Sequence, residues 1–126
     1  RQMKVNMRDW DAEYIKEPGT YRAVVTGSGE DVTKNGSPLF WISFAMDGKQ
    51  YRQAYFLKDG KNSFFTRDCI SIMGNSDMVL SDGFDTDLMN GKHVELEITT
   101  WGDNNDKLTI SSIKRLGKVN TESVPF

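Results

Sequence analysis

Between Leu39 and Lys58 the chain reads LFWISFAMDGKQYRQAYFLK, two alternating aromatic-rich runs joined by Asp47-Gly48. Asp-Gly between such runs marks a β-hairpin with a type I′ turn, whose two central residues both need positive φ. A turn of that length fixes the register: Met46 faces Lys49, Phe44 faces Tyr51, Ile42 faces Gln53 and Phe40 faces Tyr55. Side chains alternate along a strand, so Phe40, Ile42, Phe44, Met46, Tyr51 and Tyr55 share one face. The other face carries Trp41, Ser43, Arg52, Ala54, Phe56 and Lys58. A slip of one residue would bury Arg52 and Lys58, which makes this register the favoured one. An outer face of Trp, Phe, Arg and Lys among small residues suits a ligand with flat rings and negative charge.

The totals narrow the class of partner. A chain of 126 residues is expected to form one domain with its own core. Its 16 Lys and Arg against 18 Asp and Glu give a net charge of −2, which argues against coating duplex DNA by bulk charge. A local basic groove stays compatible with that balance. Cys69, the sole cysteine, rules out an internal disulfide and reads as an inert buried thiol in an apolar periodic segment. With His93 the sole histidine, no His/Cys metal set exists, and no cofactor is expected. No apolar run is long enough for a membrane span and no secretory signal appears, so the expected location is the cytoplasm.

Along the chain, residues 1–17 read as an N-terminal arm, 18–117 as the folded domain and 118–126 as a flexible tail. Tyr21 to Thr26 alternates and forms a first strand, with Tyr21, Ala23 and Val25 on one face. Gly27 to Pro38 is turn-rich, with a strand resuming after a glycine bulge at Gly27 to Gly29. The hairpin supplies strands two and three. Asn62 or Ser63 then caps a helix carrying Phe64, Phe65, Cys69, Ile72 and Met73, ending at Gly74-Asn75. Residues 76–92 are irregular. HVELEITTW alternates as a fourth strand, and Lys107 to Leu116 forms a fifth with Leu108 and Ile110 inward.

Three antiparallel strands, a helix and a closing hairpin is the order of the OB-fold. The expected class is therefore mainly β: a five-stranded OB-fold-like barrel with one helix between strands three and four. That fold binds oligonucleotides or oligosaccharides across strands two and three, between the loops joining strands one to two and four to five. Single-stranded nucleic acid is held by rings on which bases stack and by cations that follow the backbone. Trp41, Phe56 and Trp101 are the candidate stacking rings, and Arg52, Lys58, Lys34 and Lys107 the candidate phosphate contacts. An outward Trp41 or Phe56 also has a structural use, packing under the arm or the helix. Glu95 and Glu97 project from the outer face of strand four, so a phosphate groove is expected to avoid that surface.

Glu17-Pro18-Gly19-Thr20-Tyr21, the segment Phe40–Met46 and Leu88-Met89-Asn90-Gly91-Lys92-His93-Val94-Glu95-Leu96 resemble a family of small phage-encoded OB-fold proteins. That family is found beside replication and recombination functions and is related in role to single-stranded DNA-binding proteins. The resemblance covers roughly Pro18 to Gly117 and implies fold more directly than activity. The terminal Val124-Pro125-Phe126 resembles the hydrophobic-Pro-Phe end of bacterial single-stranded DNA-binding proteins, with Glu122 alone supplying acid. It implies docking of replication or recombination partners through Pro125 and Phe126.

Catalysis is not expected. Asp82, Asp85 and Asp87, and Asp103 with Asp106, read as solvated loop acids, and Gly27-Ser28-Gly29 lacks the lysine and helix of a P-loop. The expectation is a non-catalytic single-stranded DNA-binding protein of phage or prophage kind, acting in the host cytoplasm with homo-oligomerisation open. The alternatives are a carbohydrate-binding barrel, since rings stack on sugars too, and a protein-interaction module using the aromatic face.

Overall fold

The Asp47-Gly48 turn forms with φ of 21° and 79°, joining β3 (Pro38–Met46) to β4 (Lys49–Phe56). Its strands pair in the expected register, Met46 with Lys49 through Phe40 with Tyr55. Ile42, Phe44, Met46, Tyr51 and Tyr55 are buried as the alternation requires. The computed structural model describes residues 13–57 and 63–116.

β2 (Gly19–Val32) is longer than the strand read from the sequence, because it keeps pairing through its glycines. The ladder with β3 shifts register between Val25 and Gly27 and then runs on from Gly27–Ser43 to Val32–Pro38. The first half of β2 pairs instead with β5 (His93–Trp101), and Val24 meets both neighbours, facing Ala45 and His93. One bent strand thus turns the sheet from one wall to the next. β5 pairs with β6 (Lys107–Arg115), with a further shift between Glu97 and Ile98. That shift brings Ile113 inward as well as Ile110, the residue expected there.

The strands form one curled half-barrel sheet in the order β1-β4-β3-β2-β5-β6. It has six strands where five were expected. The additional one is β1 (Glu13–Tyr14), from the segment read as an arm, which runs parallel to Lys49–Gln50. Just beyond it Ile15 is buried in the core. The single helix expected after the hairpin is α1 (Ser63–Met73), stopped by Gly74 at φ 70°. A short α2 (Ser76–Val79) and a 3₁₀ turn (Thr86–Met89) follow it, within the segment read as irregular. Phe65 anchors α1 to the inner face of the hairpin, stacked on Phe40 at 4.7 Å and edge-on to Tyr55 at 5.3 Å. No helix among the described residues is long and apolar enough to cross a membrane.

Candidate functional site

Trp41 projects from the outer face of β3 and is half-buried. Its indole leans across β2: a Cβ added at Gly29 would lie 2.7 Å from Cζ2, and one at Gly27 3.8 Å from Cζ3. Gly29 is the cross-strand partner of Trp41, so the bare backbone there is what lets a large ring lie down on the sheet. Arg52, on β4, brings its guanidinium carbon to 4.1 Å from the centre of that ring. A flat cation over a flat ring is attractive by about 0.5–1 kcal/mol at an exposed site. The stack therefore holds both side chains ready on the sheet surface.

Arg52 also borders a cleft of about 760 Å³ between β4, α1 and β6. The cleft exists because β4 and β6 approach without forming a ladder. Side chains bridge them instead: the Ile110 N–H donates to Gln53 Oε1 at 3.0 Å, and Gln53 Nε2 donates to Thr109 Oγ1 at 3.3 Å. The Tyr51 hydroxyl donates to Gln53 Oε1 at 2.7 Å, with the Leu108 carbonyl 3.2 Å away as a second acceptor. Burial pushes the Tyr51 phenol from 10.0 up to about 12, so it stays a donor. Around the mouth stand Phe56, Phe64 and Trp101, exposed by 62%, 65% and 53%. Exposed rings gathered at one opening are unusual on a protein surface without a ligand to meet them. Lys107 places its ammonium 5.3 Å from the Trp101 ring centre, and Arg67 its guanidinium 5.0 Å from that of Phe64.

At the bottom of the cleft Asp68 is 1% exposed. Both carboxylate oxygens are engaged: the Tyr55 hydroxyl donates to Oδ2 at 2.6 Å and Arg67 Nε donates to Oδ1 at 2.8 Å. Burial, reinforced by the Asp68 charge, holds the Tyr55 phenol well above its ordinary 10.0. The hydrogen bond to Asp68 is the largest influence raising Arg67 above the usual guanidinium range. Burial likewise pushes the adjacent Cys69 thiol from 9.0 to about 12.

The structure brings together four of the residues read from the sequence, since Arg52, Phe56, Trp101 and Lys107 all border the cleft. Trp41 joins them through the Arg52 stack. Lys34 stands apart in the turn at the far end of the β2–β3 ribbon, beyond the Val32–Pro38 pair. From Gly29 to Val32 alone the ribbon runs roughly 10 Å, at about 3.3 Å per residue. Lys58, Pro125 and Phe126 lie outside the described residues. Glu95 sits in the sheet with Arg22 and Lys114 as its register partners on the neighbouring strands. Among the described residues no cluster of His, Cys, Asp and Glu that would hold a metal ion forms. Phe64 and Arg67 were not singled out in the sequence as ligand contacts. Their spacing of three on a helix, which places two residues on one face, was the available signal.

No protein-family model matches the chain, and no curated protein matches it.

Proposed function

We propose that this protein is a non-catalytic single-stranded nucleic-acid-binding module. The observation that carries the reading is the Arg52 guanidinium lying on the Trp41 indole beside a cleft bordered by Phe56, Trp101 and Lys107. Ring-and-cation pairs match the alternation of base and phosphate along a single strand, where stacking contributes ~1–3 kcal/mol per base. A central bent strand, a hairpin beside it and a helix before the last two strands are consistent with an OB-fold-like barrel, whose ligands cross this part of the sheet. The family resemblance suggests single-stranded DNA as the ligand and phage replication or recombination as the setting, with the choice of DNA over RNA left to the binding assay. On this reading the strand crosses the β3–β4 face and passes Trp101 and Lys107.

The cations separate this proposal from a sugar site, because a neutral oligosaccharide gains little from Arg52 and Lys107. Titration of oligo-dT followed by tryptophan fluorescence, at several salt concentrations, tests it. The expected result is quenching with an affinity that falls linearly in log salt, by about 0.7 per neutralised phosphate. Salt-independent binding, or none, rejects it.

A further inference from the structure

α1 carries a feature that the outer hairpin face does not need. Phe64 is a large apolar residue left exposed on the first turn of a helix, and Arg67 lies over it. Phe65, one position on, is the residue that anchors the helix, through Phe40 and Tyr55. Phe64 is thus free of the packing role that its neighbour fills. Arg67 is held by Asp68 through Nε, one of five guanidinium N–H donors, and 43% of its side chain stays open to solvent. Asp68 is nearly inaccessible and is held in turn by Tyr55. A buried ion pair adds little stability over apolar residues of similar volume. What this one accomplishes is to fix the direction of a cation at a cleft mouth.

Charge identifies the occupant. Among the described residues three cationic side chains, Arg52, Arg67 and Lys107, border the cleft, and the carboxylate lining it, Asp68, is already engaged on both oxygens. The surplus is positive and the open rings are flat. We propose that Phe64 and Arg67 form a second nucleotide station, on α1, for the same single strand that crosses Trp41 and Arg52. Phe64 takes a base, Arg67 takes the adjoining phosphate, and Asp68 is a positioning residue that acts through Arg67. This station rests on the single-stranded nucleic-acid reading given above.

The test is oligo-dT binding across a salt series with wild type, Trp41→Ala, Phe64→Ala, Arg67→Gln and Asp68→Asn. Phe64→Ala is expected to weaken binding roughly 5- to 150-fold, the equivalent of one stacked base. Arg67→Gln is expected to reduce the salt slope by about 0.7, one phosphate contact. Asp68→Asn removes the charge and leaves one amide oxygen where two carboxylate oxygens served Tyr55 and Arg67, so the tether on the guanidinium weakens and affinity falls while Arg67→Gln in that background changes it little further. A purely structural Asp68 would instead give additive losses, and that overturns its positioning role. Wild-type affinity and slope in Phe64→Ala and Arg67→Gln, with Trp41→Ala impaired, overturns the α1 station and leaves the hairpin face standing. Absence of binding by wild type overturns both. Phe64 is solvent-facing, so Phe64→Ala keeps its melting curve, whereas Arg67→Gln takes the cation from the buried Asp68 carboxylate and melts lower, and its binding is measured well below that melt.

Discussion

Arg52 covers Trp41 although the two are not partners in the ladder: Trp41 pairs with Ala54, and Arg52 pairs with Ser43. The guanidinium reaches its ring diagonally, and the ladder partners of the two residues are both small. The pair presents an aromatic ring and a cation as one preassembled surface, so a ligand does not have to order them on arrival.

Trp41→Ala is expected to weaken oligo-dT binding by about 1–3 kcal/mol, roughly 5- to 150-fold, with little loss of stability. The half-buried indole is a surface layer on the sheet and not part of its core. Fluorescence anisotropy of labelled oligo-dT, beside a thermal melt, measures both. A Trp41→Ala protein that binds normally removes the indole from the site.

Gly29→Ala is expected to act through Trp41. The new Cβ would stand 2.7 Å from Cζ2 and 2.9 Å from Cε2 of a rigid ring, so the indole must leave its seat. Overpacking of this kind costs about 1–3 kcal/mol. Combining it with Trp41→Ala should recover much of the lost stability, a non-additivity that urea melts of both single variants and the double will show.

Gln53→Leu keeps bulk but removes the acceptor for the Ile110 N–H and for the Tyr51 hydroxyl. The Tyr51 hydroxyl keeps the Leu108 carbonyl, but leaving the Ile110 N–H unmet costs about 1–3 kcal/mol. The expected readout is a lower urea midpoint with unchanged far-ultraviolet circular dichroism.

Alkaline pH should unfold the protein. Tyr51, Tyr55 and Cys69 all have folded values raised by burial, Cys69 from 9.0 and Tyr51 from 10.0, each to about 12. For groups whose neutral form is the protonated one, the unfolded chain binds fewer protons above pH 9, so stability falls as pH rises. It is complete below about pH 9 and is lost progressively toward pH 12, as urea midpoints across that range will show. The same burial leaves Cys69 as an unreactive thiol at pH 8, and thiol titration should find it only in denaturant.

The hairpin was legible down to its register because turn chemistry and alternation are local and agree. Ala23, Val25, Val94, Leu96 and Ile98 were legible on the same grounds, and each is buried. What was missed depends on distant partners. β2 outruns its sequence signal because β3 pairs with it through Gly27 and Gly29, and glycines carry no strand preference of their own. β1 is a strand only because the edge of β4 offers Lys49 and Gln50. At the site, Trp41, Arg52, Phe56, Trp101 and Lys107 were found from residue type and face. The cleft itself was not, since it arises where β4 and β6 fail to join, and α1 entered the site only with it. Phe64 was read as part of the helix's apolar spacing, yet Phe65 alone of the two turns inward.

Gln53 carries a last consequence. Two walls of the molecule meet along a line where a side-chain amide and a phenol stand in for a row of peptide pairing. Behind that line the walls share one core, and α1 packs on both of them. The rings and cations on the two banks are therefore tied through one amide, so a substitution at Gln53 reaches both banks without breaking a backbone pair.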